Sequence, residues 1–395
     1  FKGDKVIWII FLCLCLISII EVFSAASTLT YKSGDHWGPI TQHSIILMVG
    51  AVVVVFLHNV PYKWFQVFPV FLYPISLVLL AFVTLMGIIT GDRVNGAARW
   101  MTFMGLQFQP SELAKMAVII AVSFILSKRQ DEEGANPKAF KYIMILTGLV
   151  LILIAPENLS TAMLLFGVVF MMMFIGRVAA KKLLLLAGGL ILIGALGVGT
   201  VVAIPAKTLH STPGLHRLET WQNRIKGFFD KDEVPAAKFD IDKDAQIAHA
   251  RIAIATSHVV GKGPGNSIQR DFLSQAFSDF IFAIVIEEMG LIGGIFVVFL
   301  YLWLLMRAGR IAQKCERTFP AFLVMSIALL LVSQAILNMM VAVGLFPVTG
   351  QPLPLVSKGG TSTLINCAYI GMILSVSRYT CLLYTSPSPR DPKTS

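Results

Sequence analysis

Asp279 is the residue of this chain best suited to do chemistry. It lies in Ser278-Asp279-Phe280-Ile281-Phe282, where a polar segment gives way to a long apolar one. A carboxylate at the mouth of a membrane helix is costly unless it is paired or used. Ser278 suits an N-cap, so we expect Asp279 in the first helical turn, ionised and ready to accept a proton. Asp279 is therefore a candidate general base, and an interface anchor is the alternative.

Two acidic residues follow Asp279 on the same predicted helix. Glu287 and Glu288 lie eight and nine residues further on, which places them about 12–13 Å deeper. Carboxylates at that depth need partners, and we predict that Lys115 is the partner of one of them. Lys115 also stands three residues after Glu112, so these two share a helix face and can form an ion pair, which is the structural alternative for both.

Two loops could contact an anionic substrate. The cluster Gly261-Lys262-Gly263-Pro264-Gly265-Asn266-Ser267 offers free backbone N–H groups and a lysine, which favours anion binding, although a flexible turn is the more common explanation. It lacks the Gly-Lys-Ser/Thr ending of a nucleotide-binding loop. The Pro- and Gly-rich segment 344–362 cannot form a regular helix. Non-helical backbone near membrane depth must be covered by protein or water, so we expect this segment to line a cavity beside Asp279.

The composition is that of a polytopic membrane protein. Of 395 residues, 56% are hydrophobic and 14% are charged, whereas soluble domains carry roughly 25% charged residues. Apolar runs long enough to cross a bilayer recur along the chain. We predict an all-α bundle of ten membrane helices, at about 6–26, 43–58, 67–89, 111–127, 141–155, 159–176, 183–205, 278–306, 319–345 and 360–378. Reading 141–155 and 159–176 as one kinked helix would give nine.

Charge supports ten spans and fixes the expected orientation. With both termini in the cytoplasm, the inner segments hold fifteen Lys and Arg residues and the short outer loops hold four, as the positive-inside rule requires. With nine spans, the basic group 307–317 would fall outside. The net charge of +10 is then explained by topology and contact with anionic lipids, and it does not indicate nucleic-acid binding.

The expected organisation is one membrane domain over residues 1–378. It carries a large extracytoplasmic loop, 206–277, between the seventh and eighth helices. Within that loop, 244–260 has helical periodicity and is either an amphipathic helix at the outer surface or an ordinary loop helix. The first span is read as retained, since its apolar stretch is longer than that of a signal peptide. The chain begins at Phe1, so we expect residues upstream, and 379–395 is read as a non-native or disordered tail.

No metal or disulfide framework follows from the sequence. The five cysteines and seven histidines lack the spacing of ligand sets. The cofactor expectation is therefore open, with Mg²⁺ or Mn²⁺ as the candidate divalent cation beside an anionic substrate.

Four separated motifs, in order, resemble one family. They are Arg99-Trp100 with Gln109-Pro110-Ser111-Glu112-Leu113-Ala114-Lys115, the cluster 261–267, Ser278-Asp279-Phe280-Ile281-Phe282-Ala283 with Glu287-Glu288-Met289-Gly290, and 344–350 with Leu353-Pro354-Leu355-Val356-Ser357. Over about residues 6–378 the chain resembles the SEDS family (shape, elongation, division and sporulation) of the FtsW/RodA type. The final motifs are closer to its division-type members than to its elongation type.

The resemblance implies ten helices and a peptidoglycan glycosyltransferase that polymerises lipid II on the outer face of the bacterial cytoplasmic membrane. It implies a class B penicillin-binding protein and other division proteins as partners, at the septum. The family's essential aspartate falls on Asp279, and its Glu/Lys pair on Glu112 and Lys115. The candidate substrate-binding residues are Arg99, Glu112, Lys115, Gln246, Lys262, Ser267 and Lys358, supported by Trp100, Glu287 and Glu288.

Three departures and two rival functions stay open. A family carboxylate is absent from Leu273-Ser274-Gln275, a basic pair is reduced to Arg99, and Lys358 stands where the family has tyrosine. A lipid II flippase would need charges through the full membrane depth and repeated halves, neither of which the sequence shows. A division scaffold without activity would leave Asp279 and Glu287 unexplained.

Overall fold

The computed structural model describes residues 2–33, 38–89, 100–103, 106–132, 134–203, 222, 244–273 and 279–385. Arg99, Ser278, most of the loop 206–277 and residues 386–395 lie outside these ranges, so the predictions that fall on them stay predictions. Within the described residues the fold is all-α apart from two short antiparallel hairpins, in agreement with the predicted class.

Eleven α-helices form the described fold. In chain order they are α1 (Lys5–Ser33), α2 (Gly38–Asn59), α3 (Phe68–Ile89), α4 (Pro110–Lys128), α5 (Pro137–Ile154), α6 (Leu159–Ile175), α7 (Ala180–Ala203), α8 (Asp244–Ala255), α9 (Ile281–Gln313), α10 (Thr318–Ala342) and α11 (Thr361–Thr385). The strands β1 (Met101–Phe103) and β2 (Leu106–Phe108) pair before α4, and β3 (Gln130–Asp131) and β4 (Gly134–Ala135) pair after it.

Eight of these helices are long and apolar enough to cross a membrane, so the chain is a multi-pass membrane protein. They are α1 to α5, α7, α9 and α10. Helix α6 is apolar but shorter, and α11 is not among the eight. The predicted number of ten spans therefore stays a prediction. Helix α11 also continues to Thr385, so residues 379–385, which the sequence assigned to an irregular tail, are helical.

Helices α5 and α6 are separate, which decides one question the sequence left open. Asn158 precedes α6, and its side-chain oxygen accepts a hydrogen bond from the Thr161 N–H at 3.2 Å. An N-cap of this kind satisfies a donor that a new helix leaves unpaired. The reading of 141–176 as one kinked helix is therefore wrong.

Contacts between distant segments define two ends of the bundle. At one end, Arg307 Nε lies 2.7 Å from Asp4 Oδ2, and Arg378 donates to Asn59. We call this the basic end. At the opposite end, which we call the site end, Gln351 Nε2 donates to Thr161 Oγ1 at 2.8 Å.

Helix α4 lies at the centre of the bundle. It packs against α3, α5, α6, α10 and α11, and Val118, Ile119 and Ile120 are fully buried on successive faces. A helix that is apolar on all sides belongs in the interior of a membrane bundle. Its polar residues Glu112 and Lys115 are therefore carried into the protein and away from lipid.

Helix α8 packs on α9 and α10. Ala250 and Ala253 are buried on the packed face, and Arg251 is exposed. Residues 244–255 of the periodic segment 244–260 therefore form a helix that packs on the bundle. The interpretation of this helix as an amphipathic helix at the outer surface stays a prediction.

Candidate functional site

Asp279 stands just before α9, in a turn at the site end. The helix begins at Ile281 with Phe280 at the N-cap position, which makes no side-chain capping bond. The expectation that Asp279 occupies the first helical turn is therefore wrong by two residues. Its side chain is partly buried and remains next to the positive end of the helix.

Asn338 of α10 fixes the backbone at Asp279. Its Nδ2 donates to the Asp279 carbonyl oxygen at 3.0 Å and to the Gln351 carbonyl oxygen at 2.8 Å. One amide therefore joins the turn that carries Asp279 to the Pro- and Gly-rich segment. Segment 344–362 therefore lies beside Asp279, whereas the cavity that we expect it to line stays a prediction.

The segment itself is held from several helices. Gln334 of α10 donates to the Pro352 carbonyl at 3.0 Å, Ser18 of α1 donates to the Val356 carbonyl at 2.7 Å, and Tyr301 of α9 donates to the Pro354 carbonyl. Each bond satisfies a main-chain acceptor that irregular backbone leaves unpaired inside a bundle.

Lys115 and Glu112 form a buried ion pair. Lys115 Nζ lies 2.8 Å from Glu112 Oε1, and the two side chains are 1% and 2% exposed. Lys115 also donates to Gln334 Oε1 at 3.2 Å. The predicted pair is confirmed, and the prediction that Lys115 is the partner of Glu287 or Glu288 is wrong. Glu112 is closer along the same helix face, and other cations neutralise the two glutamates.

Lys115 and Asp279 are linked by two amide side chains of α10, those of Gln334 and Asn338. Gln334 contacts Lys115, and Asn338, four residues later and therefore one helical turn along α10, contacts Asp279. Gln334 and Asn338 also hold Pro352 and Gln351. The term amide bridge denotes six residues: Gln334, Asn338, Gln351, Pro352, Asp279 and Lys115. Sequence reasoning missed both amides, because single Gln and Asn residues in an apolar helix carry no pattern.

Several buried polar atoms around the amide bridge have no hydrogen-bond partner among the described residues. They are Glu112 Oε2, Asn338 Oδ1, Gln351 Oε1 and the Tyr369 hydroxyl. Buried polar groups in native proteins are nearly always satisfied, if necessary by water or a ligand. The interior at the site end therefore has unused hydrogen-bonding capacity.

The glycine-rich cluster and its continuation wrap around Glu287 and Glu288, both fully buried. Lys262 Nζ lies 2.6 Å from Glu287 Oε1, and the Ser267 hydroxyl donates to Glu287 Oε2. The Gly265 N–H donates to Glu288 Oε2 at 2.9 Å. We call residues 258–270 the clamp loop. The anions that this loop binds are carboxylates of the same chain, and the predicted contact of Lys262 and Ser267 with an anionic substrate stays a prediction.

Ser24 and Arg270 complete this cluster, and sequence reasoning missed both. The Ser24 hydroxyl donates to Glu288, and Arg270 Nη1 donates to the Ser24 carbonyl at 2.9 Å and lies 3.9 Å from Glu288 Oε1. Ser24 is a single serine at the end of an apolar run, which carries no pattern. Arg270 is one of many charged residues in a loop of mixed charge, so no spacing singled it out.

The remaining predicted residues are more dispersed. Trp100 is 36% exposed, just before β1, and Gln246 is half-buried on α8. Lys358, near the end of segment 344–362 and just before α11, is half-buried, and burial lowers the pKa of its ammonium group. It has no ion-pair partner within the described ranges. Arg99 lies outside them.

The residue types present do not favour a particular metal. Among the described residues, no group of three or more His, Cys, Asp or Glu side chains is placed to hold an ion. Divalent cations such as Mg²⁺ prefer several oxygen ligands. Asp279, the candidate base, is a carboxylate at the site end that would contact such a cation.

Two clefts flank the site. One lies between α3, α4 and the α5–α6 turn, and it includes Ser111, Glu157 and Asn158. The other follows α9 and is apolar, lined by Phe282, Ile286, Leu291, Gly294, Ile295 and Val298. The first offers polar groups near Glu112, and the second offers a path for a hydrocarbon chain.

Comparison with known proteins adds relatives over nearly the full chain. The FTSW_RODA_SPOVE model of cell cycle proteins matches residues 4–381. The probable peptidoglycan glycosyltransferase FtsW of Trichlorobacter lovleyi is 32% identical over 377 residues, which cover 95% of this chain and 93% of that protein. The FtsW of Halomonas elongata is 29% identical over 391 residues, covering 97% and 92%.

Solved structures share the fold. A chain described under "Structural coordination of polymerization and crosslinking by a peptidoglycan synthase complex" aligns with a TM-score of 0.73 at 23% identity, covering 96% of this chain and 98% of that one. The rod shape determining protein RodA of Thermus thermophilus aligns with a TM-score of 0.63 at 23% identity, covering 95% and 97%. By its sequence match and its motifs, the chain belongs to the FtsW/RodA/SpoVE family of cell cycle proteins, the SEDS family.

Proposed function

We propose that this protein is a peptidoglycan glycosyltransferase that polymerises lipid II into glycan strands at the outer face of the cytoplasmic membrane. The amide bridge is the observation that carries this proposal. It places a carboxylate at the site end beside irregular backbone and next to a buried Glu–Lys pair. The relatives named as probable peptidoglycan glycosyltransferases support the same activity.

In the proposed reaction, Asp279 acts as the general base. It takes the proton from an acceptor sugar hydroxyl while that oxygen attacks the anomeric carbon of the donor. The new glycosidic bond forms, the bond from that carbon to the phosphate oxygen breaks, and the diphosphate leaves on its polyprenyl carrier. The work of Asp279 is proton removal, and cations must offset the charge that develops on the diphosphate.

The candidate cationic side chains differ in whether they already form an ion pair within the protein. Lys115 and Lys262 are already engaged by Glu112 and Glu287 at 2.8 and 2.6 Å. Lys358 has no such partner within the described ranges and lies on the segment next to Asp279. We therefore favour Lys358, with Arg99, as the diphosphate ligands, and the apolar cleft along α9 as the site of the lipid tail.

The proposed setting is the division septum, with both termini in the cytoplasm. Arg307 and Arg378 at the basic end support this orientation, because basic residues favour the cytoplasmic side. We propose a class B penicillin-binding protein as transpeptidase partner, together with other division proteins and membrane lipids. The relatives named FtsW favour the division type over a RodA-type elongation polymerase, which is the second candidate.

A lipid II flippase is the rival from another class. The test reconstitutes the full chain in liposomes, with and without a class B penicillin-binding protein, and measures polymer formation and lipid II flipping on the same preparation. The proposal expects polymer from the complex. Flipping without polymer would establish the transporter, and neither activity would favour a scaffold.

A further inference from the structure

We propose that Glu287 and Glu288, held by the clamp loop, are positioning residues that set the location of Asp279. The inference rests on the proposed role of Asp279 as the base. It also gives Lys262 and Ser267 a different task from the substrate binding that the sequence suggested. The cluster would hold the protein's own helix in place and leave the diphosphate to other residues.

Helix α9 is broken, and the clamp loop binds both sides of the break. Gly290 has φ 72° and ψ −176°, which are not helical values. Before the break, the Glu287 and Glu288 carbonyls accept hydrogen bonds from the N–H groups of Lys262 and Gly263 at 3.0 and 2.9 Å. These bonds satisfy carbonyls that would otherwise lack a partner at a helix end.

After the break, the loop satisfies the donors of the new helix start. The N–H groups of Leu291 and Ile292 each lie 3.3 Å from the carbonyl oxygens of His258 and Val259. Two carbonyl and two N–H groups on either side of the break are therefore hydrogen-bonded to the loop. A break that is satisfied on both sides is a built feature of the fold.

Two glycines make this contact possible. A Cβ on Gly290 would overlap the Val259 carbonyl, and a Cβ on Gly261 would overlap the Glu288 carbonyl. Both residues also have positive φ, at 72° and 83°. The two backbones therefore touch directly, and the position of the loop determines the position of the helix segment.

The side chains of Glu287 and Glu288 add further bonds between α9 and the clamp loop. Glu287 also accepts from the N–H groups of Ile268 and Gln269 at 3.2 and 3.3 Å. Arg270 and Ser24 connect Glu288 to α1. Removing one member of such a buried network leaves charges without partners, which is strongly unfavourable.

The segment between the break and Asp279 is short and rigid. Residues 281–286 are buried, so the segment moves as one body. Asp279 lies eleven residues from Gly290, which corresponds to about 16 Å along a helix. A tilt of about 5° at the break therefore moves Asp279 by about 1.4 Å. Displacements of this size at a reacting group can lower a rate by about 100-fold.

The test compares Glu287→Gln, Lys262→Met and the double variant in the full chain with its penicillin-binding partner. We expect each single variant to lower kcat by about tenfold or more, with KM for lipid II changed less than about threefold, and the double variant to resemble either single one. Glu316→Gln and Lys314→Met, exposed at the basic end, are the matched controls. Lys262→Arg should restore much of the rate.

A different pattern would overturn the proposal. If Lys262→Met raises KM while Glu287→Gln leaves both constants unchanged, Lys262 binds substrate and does not act through Glu287. Hydrogen–deuterium exchange gives a readout that needs no activity: we expect faster exchange over residues 281–289 in both single variants. Unchanged exchange over these residues contradicts the positioning role of Glu287 and Glu288, even if the wild-type chain makes no polymer. If the wild-type chain makes no polymer but exchange is faster in the variants, only the proposed function is contradicted.

Discussion

Asn338 donates to the main-chain carbonyl of Asp279 at 3.0 Å. Asn338 therefore positions Asp279 through the main chain, and this contact does not use the carboxylate oxygens of Asp279. The same nitrogen holds Gln351 at 2.8 Å, so the turn and segment 344–362 cannot move apart without breaking this link.

Asn338→Ala should lower polymerisation at least about tenfold, because the turn carrying Asp279 loses its link to α10. The loss of free energy of unfolding should be about 1–3 kcal/mol, the usual cost of a lost buried hydrogen bond. Rates and unfolding in detergent measure the two effects. The control is Ser326→Ala, also on α10 but far from the site, which removes a buried hydrogen bond between α10 and Ser123 of α4. Equal activities of the two variants would contradict this role.

Gly290→Ala should destabilise the fold far more than Gly265→Ala. Both glycines have positive φ, at 72° and 85°, so both variants carry the same conformational cost, about 1–2 kcal/mol. Only at Gly290 would the new Cβ overlap neighbouring backbone, since nothing lies within 4 Å of a Cβ at Gly265. Thermal unfolding of the purified variants measures the difference. Similar melting temperatures would show that the break and the clamp loop are not in rigid contact.

Glu21→Gln should stabilise the protein. Glu21 of α1 is fully buried, and neither of its carboxylate oxygens has a hydrogen-bond partner among the described residues. An amide of the same shape removes the cost of a buried acid next to Glu288, and we expect a gain of about 1–3 kcal/mol. Glu288→Gln, which disturbs a fully bonded carboxylate, should do the opposite. A loss of stability in Glu21→Gln would show that its carboxylate has a bound partner.

Lys358 should make substrate binding dependent on pH. Burial lowers the pKa of Lys358, so its charge is present at lower pH and is lost as pH rises through that lowered value. The affinity for the diphosphate should fall over the same range, seen as a rise in KM for lipid II. Lys358→Arg should remove this alkaline limb, because arginine stays charged. If the limb persists in Lys358→Met, another group is responsible.

Much of the fold was predictable because membrane helices carry strong signals. Apolar runs located the helices, and the spacing of Glu112 and Lys115 predicted their ion pair. The Pro and Gly density of 344–362 predicted irregular backbone beside Asp279. These predictions depend on local patterns, which a single sequence contains.

The partners of Glu287 and Glu288 depend on how distant segments fold together. Lys115 was the expected cation, yet the clamp loop folds back and supplies Lys262 and Arg270. Gly290 inside an apolar run was a signal for a break, but only the structure shows that Gly261 meets it. Gln334 and Asn338 acquire their roles from tertiary contacts alone.

The most direct test of the central claim is polymerisation of lipid II by Asp279→Asn, reconstituted with its penicillin-binding partner in liposomes. The substitution keeps the size of the side chain and the main-chain carbonyl that Asn338 holds, and it removes the ability to accept the proton. We predict normal assembly and no polymer, with activity regained in part by Asp279→Glu. Near-normal polymer from Asp279→Asn would contradict the assignment of Asp279 as the base.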